Sequence, residues 1–184
     1  RELYIKARGA LEKFWTEETD ADLALAEKYT WLKVYQQAGR AGLEKYLGGY
    51  EEIDFDEING IIKQFKEGKE TIMLKRMGRV VEDLWYDAVD FSDKNILVIE
   101  WTHGNNPNLE GIDLAVLLNS TPEETLAHRI ARNRDRNLDS PFTTMVLNIE
   151  QEKLKARAHT ATIIVTKDAK IISYGEYLKL MEEK

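Results

Sequence analysis

The amino-acid sequence predicts an α/β fold in which helices flank a parallel sheet. Three short, continuous apolar runs carry this prediction, because such runs are typical of strands buried on both faces of a sheet. Helical patterns with clear start signals separate the second run from the third, as expected for strands joined by helical crossovers. The three runs are Ile96–Trp101, Ile112–Leu118 and Ala161–Val165.

The N-terminal part, residues 1–68, is predicted to be mostly helical. A first helix keeps apolar residues on one face, and a second helix begins near Asp20 and ends at Gly39. Asp54 begins a third helix through an acidic variant of the capping box, and Gly68 ends it. This half carries little recognisable chemistry.

Two further helices are predicted between the second and third apolar runs. Thr121 caps the first of them, with Pro122 at its first position, and Ser140 caps the second, with Pro141 following. Thr71–Arg76 is a weaker strand prediction, because it is short and not continuously apolar.

Length and composition limit the class of protein. The chain has 184 residues, so we expect one domain over residues 1–184, with a parallel-sheet part at residues 95–172. The net charge of −7 argues against binding nucleic acid through the overall field. The absence of cysteine excludes disulfides and fits a reducing cytoplasm. No apolar run approaches the roughly 20 residues that span a bilayer, so no membrane partner is expected.

The apolar run NILVIEW, at residues 95–101, raises a question of pairing. A strand of this kind needs neighbours on both edges, because exposed apolar edges invite aggregation. The preceding residues offer only the weak strand at Thr71–Arg76. The chain begins with Arg1 inside a helical pattern, so we expect that it is truncated and that one or two strands lie upstream.

Four arginines on the helix after Thr121 form the strongest local signal. Arg129, Arg132 and Arg136 fall on one helical face, and Arg134 lies off it. Like charges at this spacing cost a few tenths of a kcal/mol per pair unless an anion compensates them. A guanidinium can bind phosphate with two parallel hydrogen bonds, which favours a phosphate site. The alternative is a solvated helix neutralised by its own acids; nucleic acid fits less well, because no aromatic residues interleave the arginines.

A second group of polar residues follows the first apolar run. Glu100 stands at the carboxyl end of that predicted strand, where α/β sheets bind ligands, and its carboxylate suits a metal ion or a substrate hydroxyl. The following loop offers hydrogen-bonding groups, of which Thr102, His103 and Asn105 suit a hydroxylated substrate. The alternatives are an acid that caps a neighbouring helix and an ordinary turn.

Four segments resemble the kinases related to uridine kinase, phosphoribulokinase and pantothenate kinase. ILVIEWTHG (96–104) is similar to their strand ending in Ile-x-Glu-Gly, and the segment 112–136 is similar to their next strand and lid helix, with its Arg-x-x-Arg-Asp pattern. Residues 52–74 resemble the helix and strand before the acidic strand, and HTATIIV (159–165) resembles the final strand. The resemblance covers roughly residues 50–172.

The resemblance implies a partial three-layer fold of the P-loop kinase kind. It also implies transfer of the γ-phosphoryl group of ATP, with Mg²⁺, to a small hydroxylated metabolite. The implied roles are catalysis by Glu100, Arg132 and Arg136; ATP binding by Arg129, Arg132, Arg134 and Arg136; substrate binding by Thr102, His103 and Asn105; and a metal contact by Glu100.

This sequence departs from the family pattern in three places. Trp101 stands where the family has glycine, Asn133 stands where the lid has aspartate, and no glycine-rich phosphate loop occurs. Residues 1–184 alone are therefore expected to be inactive as a kinase, with the phosphate loop and general base upstream of Arg1. The alternative is a relative that binds a phosphorylated ligand or a protein without turnover.

Overall fold

The structure is a computed structural model, and it describes residues 29–78, 83–132 and 141–182. The chain divides into two compact units, Arg1–Val98 and Ile99–Lys184. Together they make a mixed α/β protein with small sheets. Across the described ranges, no helix has the length and hydropathy to cross a membrane.

The first described helical element of unit one, α1 (Thr30–Tyr46), consists of two helices that meet at a kink. Gly39 has φ 57° and ψ −147°, so the helix is interrupted there and then resumes. The predicted end of a helix at Gly39 is therefore confirmed, and a second helix follows it. Glycine accepts this backbone conformation without a steric penalty, and the segment beyond it is held by the buried side chains of Leu43 and Tyr46.

Helix α2 (Phe55–Lys66) begins and ends as the sequence predicts. The carboxylate of Asp54 accepts a hydrogen bond of 2.9 Å from the backbone N–H of Glu57, which satisfies one of the free donors of the first turn. Phe55 and Ile62 are buried, so the apolar stripe of the helix faces the core of this unit.

An antiparallel hairpin completes unit one. Its strands are β1 (Thr71–Met77) and β2 (Leu84–Asp90), which pair from Thr71 opposite Asp90 to Met77 opposite Leu84. The weak strand prediction at Thr71–Arg76 is confirmed. Strand β2 was missed, because its sequence LWYDAVD places acids among its apolar residues and most of its side chains are exposed.

The described residues of unit two form a three-stranded sheet and three helices. The sheet order is β3-β4-β5, with β3 parallel to β4 and β5 antiparallel to β4. A short 3₁₀ turn, Ala158–Thr160, precedes β4. The elements are β3 (Val116–Asn119), α3 (Pro122–Arg132), α4 (Pro141–Arg157), β4 (Ile163–Thr166), β5 (Ile171–Ile172) and α5 (Tyr174–Glu182).

The predicted parallel sheet is confirmed for two of its three strands. Strands β3 and β4 pair in parallel, from Val116 opposite Ile163 to Asn119 opposite Thr166. The predicted strand Ile96–Trp101 is wrong, because this segment forms no helix or strand. In the described part of the chain it has no strand beside it to accept its backbone hydrogen bonds, and the side chains of Ile96 and Val98 are 78% and 79% exposed.

The core of unit two lies beneath the β3–β4 pair. Buried side chains of the two strands meet the end of α4 and one face of α5, and this burial fixes the strands against the helices. The buried residues are Leu117, Ala158, Ile164 and Tyr177, with Leu154, Ala161, Ile172 and Met181 packed around them. Loops that leave the strands therefore start from a fixed position.

The cap of α2 gives a test of this local structure. Asp54→Ala removes the acceptor for the Glu57 N–H, and we expect the free energy of unfolding to fall by about 1 kcal/mol. Asp56→Ala is the matched control, since this residue lies in the same first turn without accepting that bond, and its loss should be only about 0.3 kcal/mol. Urea unfolding measures both variants, and equal losses would contradict the assigned cap.

Candidate functional site

The carboxyl ends of β3 and β4 lie at the same edge of the sheet. Asn119, the last residue of β3, pairs with Thr166, the last residue of β4. Three residues after Asn119 the chain enters α3 at Pro122, so the N-terminus of this helix also lies at that edge. Ligands of α/β proteins bind at such edges, so the side chains that gather there make up the candidate site.

Thr121 and Glu124 close the N-terminus of α3 with a reciprocal capping box. The backbone N–H of Thr121 donates to the Glu124 carboxylate at 2.9 Å, and the Glu124 N–H donates to the Thr121 hydroxyl at 3.3 Å. The predicted cap at Thr121 is confirmed. Lys167, directly after β4, lies 3.8 Å from the second carboxylate oxygen of Glu124, so an ion pair ties the loop after β4 to the first turn of α3.

Glu123 adds a negative charge to the same turn. Its pKa lies below the usual value because its carboxylate accepts hydrogen bonds from its own backbone N–H and from Thr121, with a further contribution from the positive charge of Arg129. Glu123 is exposed, whereas Glu124 is largely shielded by its capping role. The two neighbouring acids therefore differ in function: Glu124 is structural, and Glu123 faces solvent.

Arg129 folds back along α3 toward its N-terminus. Its Nη2 donates to the backbone carbonyl of Pro122 at 2.8 Å. Its Nε and Nη1 atoms are buried and have no hydrogen-bond partner among the described residues. A buried donor without an acceptor costs about 1 to 3 kcal/mol, so the guanidinium would gain from an anion beside it.

The remaining arginines of the predicted phosphate face are placed differently. Arg132, in the last turn of α3, is exposed. Arg134 and Arg136 lie outside the described residues. Of the arginines predicted to share one face, the structure therefore describes two. Arg129 is partly buried against the start of the helix, and Arg132 lies in solvent.

Glu100 lies on an irregular segment and is exposed. Its predicted position at the end of a parallel strand is wrong, because the strand itself is absent from this part of the chain. Across the described residues, no three His, Asp or Glu side chains gather closely enough to hold a metal ion. Thr102 is exposed and Asn105 is half-buried in the loop that follows.

His103 is the buried member of that loop. Its side chain is 6% exposed, and its ring packs edge to face against Trp101, with ring centroids 5.3 Å apart. Burial, followed by the positive charges of Arg157 and Lys153, lowers the pKa of His103 to about 4. The imidazole is therefore neutral near pH 7, and its burial keeps it from direct contact with a ligand in solution.

Two residues of this sheet edge were missed by the sequence analysis. Asn119 is buried and donates from Nδ2 to the sulfur of Met181 at 3.6 Å. Lys167 pairs with Glu124 as described above. Both stand at or directly after the end of a predicted parallel strand, and that position is the signal that points to them.

His103 makes the stability of the chain depend on pH. Its folded-state pKa of about 4 lies below the unfolded value of about 6.5, so the unfolded chain takes up a proton first as the pH falls. Stability from this group is complete above pH 6.5 and is lost between 6.5 and 4. We expect a loss of about 2 kcal/mol between pH 7.5 and 5.0.

Urea unfolding of the wild type and of His103→Gln at pH 7.5 and 5.0 measures the contribution of His103 to the free energy of unfolding. The difference between the two proteins isolates His103 from every other titrating group. An identical pH dependence in both proteins would contradict the assigned environment.

Comparison with known proteins finds one long match. The chain is 46% identical over 140 residues to the bifunctional alpha-galactosidase/sucrose kinase AgaSK of Mediterraneibacter gnavus. The match covers 76% of this chain and 15% of that protein, so the chain spans a small part of its relative. No protein-family profile and no solved structure matches the chain. The chain is thus similar to one segment of a protein whose name joins a glycosidase with a kinase.

Proposed function

We propose that this chain is part of an ATP-dependent kinase of the uridine-kinase-like group that phosphorylates a hydroxyl group of a sugar. The observation that carries the proposal is Arg129, whose buried Nε and Nη1 have no acceptor among the described residues, at the carboxyl edge of a parallel strand pair. The name of the relative supports a sugar as the acceptor, with sucrose as the first one to test.

The name of the relative joins a kinase with a galactosidase, and the charge of the site residues favours the kinase activity for this chain. Phosphoryl transfer develops negative charge that arginines stabilise, whereas glycoside hydrolysis uses a pair of carboxyl groups around a neutral substrate. The guanidinium of Arg129 lies close to the first turn of α3, with its bond to the Pro122 carbonyl. A phosphate group therefore fits this edge better than a neutral glycoside does.

The residues fit a nucleotide phosphate more fully than a resident metal ion. Nε and Nη1 of Arg129 are buried and have no acceptor among the described residues, and an oxygen of a phosphate would accept from them once the side chain turns outward. Magnesium in kinases is bound by one or two carboxylates together with substrate phosphates. Glu100 is the proposed protein carboxylate, and the ion would supply charge neutralisation on the phosphates when bound.

The proposed roles of the other site residues follow from how far their side chains are exposed to solvent. Arg132 is exposed and is proposed to stabilise phosphate charge as the helix closes over ATP, together with Arg134 and Arg136. Thr102 and Asn105 are proposed to bind the sugar hydroxyls. His103 is buried, and we propose that it acts on the substrate by holding the loop in place.

A transfer assay tests the proposed function. The natural protein that carries this chain is incubated with Mg²⁺, γ-labelled ATP and sucrose, glucose, galactose or uridine, and label in the acceptor is measured. We expect transfer to a sugar. Binding of ATP without transfer to any acceptor would favour the non-catalytic relative, and transfer to uridine alone would contradict the sugar acceptor.

Arg129→Met separates an anion-binding arginine from a structural one. Methionine keeps most of the alkyl stem and removes the guanidinium, so the buried unsatisfied donors disappear. We expect the free energy of unfolding of the ligand-free protein to stay the same or rise slightly, while affinity for ATP falls about tenfold or more. A structural arginine would give the reverse pattern, with lower stability and unchanged ATP affinity by equilibrium binding.

Arg132 is tested through turnover. Arg132→Ala should slow phosphoryl transfer strongly while leaving stability nearly unchanged, because an exposed arginine that contacts phosphate in the transition state acts on the barrier. Arg132→Lys should restore part of the rate, since an ammonium keeps the charge but loses the planar fork.

Lys155→Ala is the matched control, since it removes an exposed cation from α4. Steady-state kinetics at saturating ATP, beside a thermal melt, measures all three variants. Unchanged turnover in both Arg132 variants would assign the residue to a solvated helix.

A further inference from the structure

The guanidinium of Arg129 occupies a position from which it cannot bind an anion with two hydrogen bonds. Its side chain runs back along α3 by seven residues, and Nη2 donates to the Pro122 carbonyl at 2.8 Å. The other two nitrogen atoms, Nε and Nη1, are buried. Each pair of parallel N–H groups on a guanidinium consists of Nη2 with either Nε or Nη1. A phosphate can therefore reach neither pair until the side chain moves.

This inward position of Arg129 is weakly held. Nε and Nη1 have no hydrogen-bond partner among the described residues, and buried donors without an acceptor are destabilising. Two interactions oppose that cost. One is the bond to the Pro122 carbonyl. The other is the attraction of the Glu123 carboxylate, which is exposed and therefore screened by water.

Thr125 provides a substitute donor for the Pro122 carbonyl. The Thr125 hydroxyl lies 3.1 Å from the carbonyl oxygen of Pro122 and 3.1 Å from that of Thr121. Because a hydroxyl has one proton to donate, it serves these two acceptors in alternation. When Arg129 leaves, the hydroxyl can donate to Pro122 throughout. The departure of the guanidinium therefore does not leave this carbonyl without a side-chain donor.

We propose that Arg129 has two positions, an inward one bonded to Pro122 in the ligand-free protein and an outward one bonded to a phosphate of the nucleotide. This inference rests on the proposed function and adds an autoinhibitory contact to the same site, since the Pro122 carbonyl competes with the phosphate for Nη2. A phosphate accepts from Nη2 together with Nε or Nη1. The outward position therefore satisfies a donor that the inward position leaves without an acceptor.

The inward position lowers the affinity of the site for phosphate. Only molecules with Arg129 outward bind a phosphate through two of its N–H groups, so the apparent dissociation constant rises as the outward fraction falls. A ligand shifts such an equilibrium through its different affinities for the two positions. A substitution that favours the inward position therefore weakens phosphate binding even where the substituted residue does not touch the ligand. Thr125 is a positioning residue of this kind.

Variants of Thr125 test this competition. Inorganic tripolyphosphate is the probe, because it carries phosphates without a base or a sugar, and titration calorimetry on the natural protein gives its dissociation constant. Thr125→Val keeps the shape of the side chain but removes the hydroxyl, so the outward position of Arg129 would leave the Pro122 carbonyl without its substitute donor. We expect the affinity to fall about threefold. Thr125→Ser keeps the hydroxyl and should bind tripolyphosphate as the wild type does.

A double-mutant cycle with Arg129→Met shows whether the effect of Thr125 passes through the arginine. In the Arg129→Met protein no guanidinium moves away from the Pro122 carbonyl. Adding Thr125→Val to that protein should therefore leave the remaining affinity for tripolyphosphate unchanged. A purely structural role for Thr125 would instead weaken binding about equally in both backgrounds. Thermal melts check that every variant is folded at the temperature of the titration.

The outcomes distinguish this contact from the proposed function. Wild-type affinity in Thr125→Val, or an equal loss in both backgrounds, would overturn the two positions of Arg129 and leave its phosphate site in place. Absence of tripolyphosphate binding by the wild type would overturn the phosphate site and the autoinhibitory contact together. Transfer of label from ATP to a sugar in that same protein would then still support the kinase, since the transfer assay does not depend on tripolyphosphate.

Discussion

Parallel pairing of β3 with β4 is the constraint on which the arrangement of unit two depends. A parallel pair requires its two strands to end at the same edge of the sheet and to be joined by a long connection. Here that connection carries α3 and α4, and the pair ends at Asn119 and Thr166. The start of α3 and the loop after β4 are thereby brought together, and the Lys167–Glu124 ion pair spans them.

Unsatisfied polar groups mark the chemistry of this edge. The capping box of Thr121 and Glu124 uses its donors and acceptors within the helix start. Arg129 differs from these residues, because two of its buried nitrogen atoms have no acceptor among the described residues. Since buried donors are almost always satisfied in folded proteins, this arginine is more informative about a ligand than the exposed Arg132, whose charge water already solvates.

The Trp101–Leu109 loop contrasts with the apolar run that precedes it. Ile96 and Val98 are exposed and pair with no strand in the described structure, whereas the loop is ordered by its own turns and by the burial of His103 and Asn106. Local hydrogen bonds can fix a short polar segment by themselves. An apolar strand cannot be fixed in this way, because its backbone groups need a neighbouring strand.

The sequence by itself determined the local features of this protein. Asp54 and Thr121 cap their helices as predicted, and the apolar runs that became β3 and β4 were recognised, because capping and strand propensity depend on residues close together in the chain. The roles of Glu100 and of the arginines stay predictions, with Arg134 and Arg136 outside the described residues.

Only the tertiary structure decided those features that depend on residues far apart in the sequence. It left Ile96–Trp101 without a strand, placed a second helix directly after the end of the first at Gly39, buried His103, and turned Arg129 back toward Pro122. Each of these outcomes depends on which groups meet across the fold, and a side chain acquires its burial, its pKa and its hydrogen-bond partners only from those neighbours.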